Sequence, residues 1–186
     1  MIFEITADSA LPDRNSQIEI SSLHYVNNKN VKENYPDGCK EIFLGLGCFW
    51  GAERLFWSSS SVYVTSVGYG GGYTKNPTYE EVCAGNTEHA EVLQIIFDEN
   101  IISYNEIVKY FWKCHDPTQL NRQGPDVGRQ YRSVIFYFSD KQKEIALESK
   151  KIKQNDFSNI IVTEILKADE FYLAEEYHQL FINKRG

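Results

Sequence analysis

Residues 41–57 read Glu41-Ile42-Phe43-Leu44-Gly45-Leu46-Gly47-Cys48-Phe49-Trp50-Gly51-Ala52-Glu53-Arg54-Leu55-Phe56-Trp57. The first seven form a short apolar run bounded by glycines, which predicts a buried strand. Ala52 to Trp57 opens with strong helix formers. Cys48 therefore falls where a strand turns into a helix. A helix N-terminus carries unpaired N–H groups and the positive end of the dipole, so a sulfur there has part of what a thiolate needs. Gly47 and Gly51 bracket Cys48-Phe49-Trp50, which permits a tight turn and close approach by a ligand. Taken alone, Cys48 reads first as a small buried hydrophobe, and Phe49 and Trp50 as core rather than pocket.

Toward the N-terminus, residues 1–40 are polar and irregular. Asn27-Asn28-Lys29-Asn30 and Tyr35-Pro36-Asp37-Gly38 are turn chemistry. We read this stretch as an extension wrapped on the surface, with at most one short strand, belonging to the same domain as residues 41–186. Toward the C-terminus, residues 61–73 are β-rich and then glycine-rich. Pro77 to Val82 reads as a short helix opened by proline, and Ala90 to Phe97 as a strand. Ser103 to Trp112 reads as a helix with a Ser103–Glu106 capping box and an apolar face of Ile107, Val108, Phe111 and Trp112. Residues 116–130 form a long polar loop, of the length that often carries function. Tyr131–Phe138 and Ile160–Leu166 read as strands, residues 140–155 as a charged helix, and Leu173–Phe181 as a final helix. The alternation predicts an α+β fold, a central mixed sheet with helices packed against it.

The chain has 186 residues, which suits one domain with a real core. Its formal net charge is −7. Such a chain gains no counterion-release energy from a phosphate backbone, and anionic membranes repel it, so neither nucleic acid nor membrane is an expected partner. The N-terminus has no basic region followed by an apolar run, and no segment reaches spanning length, so a cytoplasmic protein is expected. Cys39, Cys48, Cys83 and Cys114 match no zinc spacing and no C-x-x-C pair. No metal and no organic cofactor is expected.

Six blocks carry a resemblance. They are Gly47-Cys48-Phe49-Trp50-Gly51-Ala52-Glu53, Val67 through Tyr79 (VGYGGGYTKNPTY), Glu81-Val82-Cys83, His89-Ala90-Glu91-Val92, His115-Asp116-Pro117-Thr118-Gln119, and Asp126 through Ser133 (DVGRQYRS). In this order and spacing the chain resembles the A-type methionine sulfoxide reductases. The resemblance implies a two-layer sandwich of ferredoxin-like type with long loops. It implies thiolate attack by Cys48 on the sulfur of methionine S-sulfoxide, free or in proteins, release of methionine, and a Cys48 sulfenic acid reduced by a thiol. Glu91 matches the family's general acid, which an apolar surround must keep protonated at neutral pH. Tyr79 and Tyr131 match its phenols, which donate to the developing oxyanion. Phe49 and Trp50 match the apolar box for the methyl group, and Asp126 a residue that orients water or the peptide backbone. His178 resembles a position near the same rim. Without the resemblance, Glu91 reads as a surface carboxylate, the tyrosines as amphipathic packers, and Asp126 as a turn residue before Gly128.

The chain departs from the pattern in places. Many relatives carry resolving cysteines in a C-terminal tail, and no cysteine follows Cys114 here. The expectation is a one-cysteine enzyme served directly by glutathione, glutaredoxin or thioredoxin, with Cys39 as a second option for resolver. Cys83 is read as structural and Cys114 as core. Glu88 stands where the family usually has glycine, and Arg129 replaces a commonly small polar residue. Both put charge near the expected pocket mouth. A monomer is the default expectation. Two rival readings remain: a cysteine hydrolase pairing Cys48 with His89, His115 or His178, and a binding module with Phe49, Trp50 and the tyrosines as an aromatic cage.

Overall fold

The computed structural model describes residues 5–185; Met1–Glu4 of the expected extension and Gly186 lie outside it. Strands β1 (Cys39–Leu46), β2 (Val62–Gly70), β3 (Ala90–Asp98), β6 (Ser133–Tyr137), β7 (Glu164–Lys167) and β8 (Phe171–Leu173) form one sheet in the order β7-β6-β1-β3-β2-β8. Only β6 and β7 run parallel; the other neighbours are antiparallel. The sheet is therefore mixed, as the α+β reading expected. Helices α1 (Phe49–Trp57), α3 (Tyr104–Cys114) and α4 (Asp140–Lys153) pack on it. Strands β4 (Arg122–Gln123) and β5 (Asp126–Val127) make a separate two-stranded ribbon inside the long polar loop, followed by a 3-10 turn at Arg129–Tyr131.

The period of two along a strand sorts the side chains between two cores. Ile42, Leu44 and Leu46 of β1 and Leu93, Ile95 and Phe97 of β3 join Phe49, Phe56, Ile107, Phe111 and Trp112 beneath the helices. Phe43, Val92, Val134 and Phe136 face the other way and meet Phe171. Val64 and Ile96, also on that second side, are covered by Val31, Ile20 and Tyr35 of the N-terminal segment. Val31 is 5% exposed, so its burial contributes roughly 1.5–3 kcal/mol. By the same alternation Glu91, two residues before Leu93, points to the helix side. Its strand partner there is Tyr69 of β2.

Several predicted elements hold in detail. The Ser103–Glu106 capping box of α3 is present with both bonds made. Others need correction. Helix α2 (Tyr79–Cys83) is capped by Thr78 with Glu81 as the reciprocal partner, so Pro77 precedes the cap and does not open the helix. Residues 160–163 are not strand: the Ile161 N–H goes to Gln154 Oε1 and the Val162 N–H to the Pro117 carbonyl, so neither joins the sheet. The predicted final helix over Leu173–Phe181 is absent. Phe171–Leu173 is the edge strand β8, residues 174–180 run through turns, and α5 covers only Phe181–Arg185. Leu180 has φ +51°, which no α-helix tolerates.

Gly68 explains why the sheet gains that edge strand. A Cβ at residue 68 would lie 2.3 Å from the Tyr172 carbonyl oxygen and 2.6 Å from the Phe171 ring. Only glycine lets β8 pair at this register. Gly68→Ala is expected to cost about 1–3 kcal/mol in the urea unfolding free energy and to free the β8 amides for exchange. Unchanged stability and protection would refute that account.

Candidate active site

Gly47 has φ +95°, and a Cβ there would strike the Gln123 side chain at 2.8 Å. The glycine turns the chain out of β1 so that Cys48 becomes the N-cap residue of α1. Among the orphan N–H groups of the first turn, one finds a side-chain partner across the sheet surface. Phe49 N–H donates to Glu91 Oε2 at 3.0 Å. The N–H groups of Trp50 and Gly51 make no hydrogen bond to the resting thiol, but they favour a sulfur anion there. Ala52 N–H closes the first helical bond onto the Cys48 carbonyl at 3.3 Å. One helix tip thus holds a thiol and a carboxyl side by side. A side chain on Gly51 would meet nothing within 4 Å, so that face of the tip is open.

The electrostatics differ from what the helix tip alone predicts. Burial, followed by the Glu91 carboxylate, pushes the Cys48 thiol up to about 11, and the two helix N–H groups only partly offset this. The sequence argument expected a depressed value; it counted the dipole and not the buried neighbourhood. Burial also raises the Glu91 carboxyl to about 8, helped by Asp126 and opposed by the Phe49 N–H. Glu91 is 1% exposed. Near pH 7 it is a neutral acid, as its matched role requires. Tyr131 is pushed up to about 12, first by burial and then by Glu91, Cys83, Asp126 and Cys48. Tyr79 is raised by burial and by its hydrogen bond to Cys83, then by the fields of Glu91 and Tyr131. Both phenols stay protonated donors. These mutual effects bring Cys48, Glu91, Tyr79, Asp126 and Tyr131 into one neighbourhood. All but Glu91 are half-buried.

The aromatic residues divide. Phe49 is 1% exposed and packs on Tyr69, ring centroids 5.9 Å apart, and His178, 5.1 Å. Trp50 is half-buried and stacked flat on Phe181 at 3.8 Å. Its indole N–H donates to His178 Nδ1 at 2.9 Å. His178 also lies 4.4 Å from the Tyr79 ring. Glu175 accepts from the Tyr69 hydroxyl at 2.8 Å and from the Tyr79 backbone N–H at 2.9 Å. Glu53, fully buried on α1, accepts from Thr65 Oγ1 at 3.0 Å and from Leu180 N–H at 2.7 Å. The segment after β8 therefore braces both the Trp50 and the Tyr79 walls. Sequence reasoning missed Glu53, Tyr69, Glu175 and Phe181. A signal was available in Glu175-Glu176-Tyr177-His178-Gln179, a polar run too dense for the apolar stripe of a packed helix.

The histidines bear on the hydrolase reading. His89 takes Gly72 N–H and meets the Thr74 carbonyl; His115 bonds the Phe111 carbonyl and Ser133 Oγ. His178 Nδ1 serves Trp50, and its Nε2 is 3.8 Å from Glu175. His89 and His115 are thus committed to partners other than Cys48, and His178 Nε2 makes no hydrogen bond to any described group, Cys48 included. A cleft of about 640 Å³ lies elsewhere, between α3 and α4, lined by Lys109, Trp112, Ile145 and Ile152 among others. None of the expected reacting groups lines it. Among the described residues no cluster could hold a metal ion, and no helix is long and apolar enough to cross a membrane.

A sheet carrying a buried acid beside a cysteine at a helix tip is a site suited to thiol chemistry. The chain belongs to the peptide methionine sulfoxide reductase family, whose sequence model matches residues 40–186. It is 49% identical over 183 residues to peptide methionine sulfoxide reductase MsrA 2 of Nostoc sp., spanning 96% of this chain and 82% of that one. Against the MsrA of Vibrio vulnificus it is 47% identical over 184 residues, covering 97% and 88%. The solved methionine sulfoxide reductase A of Corynebacterium diphtheriae superposes with a TM-score of 0.87 at 35% identity, over 97% of this chain and 90% of that one. Mxr1 of Saccharomyces cerevisiae in reduced form gives 0.77 at 37% identity, over 82% and 88%. The protein is thus a thiol-dependent oxidoreductase that converts methionine S-sulfoxide to methionine through a cysteine sulfenic acid, a repair reaction for oxidised proteins.

Proposed function

We propose that Cys48 is the nucleophile of this reaction, Glu91 its acid, and Tyr79 and Tyr131 its oxyanion donors. The observation that carries the reading is the shared helix tip, where Glu91 Oε2 accepts from Phe49 N–H at 3.0 Å beside the N-cap thiol. Cys48 sulfur attacks the sulfoxide sulfur as its own proton leaves. Glu91 gives a proton to the oxygen, which is a poor leaving group otherwise. The protonated oxygen leaves the methionine sulfur as water, taking up the proton that the thiol lost. A water then attacks the Cys48 sulfur, the S–S bond just formed breaks, and methionine departs. Cys48 is left as a sulfenic acid, and a proton returns to Glu91. One thiol then forms a mixed disulfide and releases water; a second restores the Cys48 thiol.

Trp50, flat against Phe181, is the wall for the substrate methyl group, with Phe49 behind it as the second member of the apolar box. Asp126 orients the peptide backbone or a water near Tyr131. The hydroxyl of Tyr79 exchanges Cys83 for the sulfoxide oxygen when substrate arrives. Tyr79→Phe and Tyr131→Phe are each expected to lower kcat on the order of 10²-fold with a smaller change in KM, because the phenols serve the oxyanion more than the ground state. Equal loss in KM alone would contradict the assignment.

The reductant is an external thiol of the thioredoxin, glutaredoxin or glutathione class, acting directly on the Cys48 sulfenic acid. A complex of the yeast protein Mxr1 with Trx2 lends support to the first of these. Cys39 is half-buried near Asp98, and burial raises its thiol, which makes it a poor resolver. We further read the protein as a cytoplasmic monomer. Residues 1–40 and 41–186 form a single domain; the contacts of Val31 with Val64 and Ile96 support this.

A further inference from the structure

The match to the family's sequence model begins at residue 40. Ahead of it, residues 11–14 are laced to the loop that carries Tyr79. Leu11 N–H donates to the Asn86 carbonyl and Arg14 N–H to the Lys75 carbonyl, each at 3.0 Å. Lys75 N–H donates to Asp13 Oδ1 at 2.9 Å, Thr74 Oγ1 to the Leu11 carbonyl at 2.8 Å, and Asn76 Nδ2 to the Arg14 carbonyl at 2.7 Å. Arg14 Nη2 meets Glu81 Oε1 at 2.5 Å. Residues 74–76 precede Tyr79, and Glu81 and Asn86 follow it, so both flanks of the phenol are tied to one segment.

The route from this segment to Tyr79 is short. Glu81 pairs with Arg14 through one carboxylate oxygen and accepts from Thr78 N–H through the other, at 2.8 Å. Its own N–H donates back to Thr78 Oγ1 at 3.3 Å, and that reciprocal cap starts α2. Tyr79 is the first residue of α2. Its N–H is held from the other side by Glu175 Oε1 at 2.9 Å. Its ring lies 4.4 Å from that of His178, whose Nδ1 accepts from the Trp50 indole N–H. Glu91 and Tyr131 act on its hydroxyl. Residues 71–78 join no helix or strand, so the bonds to residues 11–14 stand in for the ladder of a regular element.

We propose that residues 11–14 form a strap that positions Tyr79 for the reaction, with Asp13 and Arg14 as its positioning residues. This rests on the assignment of Tyr79 as an oxyanion donor. Asp13 acts through the loop and Arg14 through the helix cap. A catalytic group displaced by about 1 Å can lose on the order of 10²-fold in rate, so slack at α2 is felt at the sulfoxide oxygen. The Arg14–Glu81 pair is 43% and 27% exposed and returns little stability, so loosening the strap leaves the fold standing. The methyl wall at Trp50 leans on Phe181 and His178, so ground-state binding changes little.

The test is a double-mutant cycle, read in single turnovers of the reduced protein on methionine S-sulfoxide. Asp13→Ala combined with Arg14→Ala is expected to lower the maximal rate about 5- to 30-fold, with the half-saturating concentration within about twofold. In a Tyr79→Phe background the same changes should cost less than about twofold, because no hydroxyl is left to misplace. In a Tyr131→Phe background the full loss should return. Asp13→Asn with Arg14→Lys keeps an acceptor for Lys75 N–H and a cation for Glu81, and should hold the rate within about threefold of the wild type. Equal losses in all three backgrounds, an unmoved rate, or a strap variant that no longer folds by circular dichroism would overturn the proposal. A Tyr79→Phe protein with the wild-type rate is a separate failure: it would remove the phenol from the reaction, and the strap's role with it.

Discussion

Cys48→Ser is expected to abolish methionine formation, lowering kcat by about 10⁴-fold or more, while methionine sulfoxide still binds. Removing a nucleophile typically costs on that scale. Serine is a favoured N-cap residue of similar size, so the helix start and the pocket stay built. It cannot accept oxygen as a sulfenic acid. Turnover with dithiothreitol and binding by titration calorimetry separate the two effects. A binding module with an aromatic cage would behave differently, showing no turnover in either protein. Turnover that persists in the variant would move the chemistry to another cysteine.

The second large effect is expected at Glu91. Glu91→Gln keeps an acceptor for the Phe49 N–H but has no proton to give, so kcat should fall about 10²–10⁴-fold. The pH profile adds a sharper signature. The acid sits at about 8 because burial disfavours its charge. As pH rises through that value the carboxyl ionises, the sulfoxide oxygen loses its proton donor, and the rate falls. The variant should lack that limb. The sign for folding is the same: the folded value lies above the ordinary 4.5, so Glu91 costs nothing below about pH 4.5 and lowers stability progressively up to about 8. A pH profile of the same shape in the wild type and in Glu91→Gln would remove Glu91 from the acid role.

The resting thiol changes how the first step is pictured. Burial holds Cys48 protonated in the free protein, and the Glu91 charge adds to this. Because Glu91 is itself neutral at pH 7, that second push is absent in the working state. The Trp50 and Gly51 N–H groups then stabilise the sulfur anion as it forms. The two carboxylic and thiol protons are coupled, so the pair, not either group, governs the profile.

What could be read from residues alone follows a physical boundary. Strands β1 and β3 announce themselves through apolar runs, and α3 through the Ser103–Glu106 box, because those signals are local. The turn at Gly47-Cys48 is equally local. Strand β8 was hidden because three residues carry no period, and its pairing depends on the missing Cβ of Gly68, far away in the chain. The run after it, from Glu175 to Leu180, was mistaken for helix because its buried polar groups find partners on α1, α2 and β2, which no window of sequence contains. The thiol value failed for the same reason: the helix dipole is written in the sequence, and the burial of Cys48 among distant residues such as Glu91 is not. Glu88 and Arg129 were visible as departures, yet their pairing needed coordinates.

The most direct test mixes reduced protein with one equivalent of methionine S-sulfoxide, with no other thiol, and maps the oxygen by mass spectrometry after dimedone trapping. One methionine released per chain, with the adduct on Cys48, is the predicted result. An adduct on Cys39, Cys83 or Cys114, or methionine released with Cys48 left untouched, would contradict it.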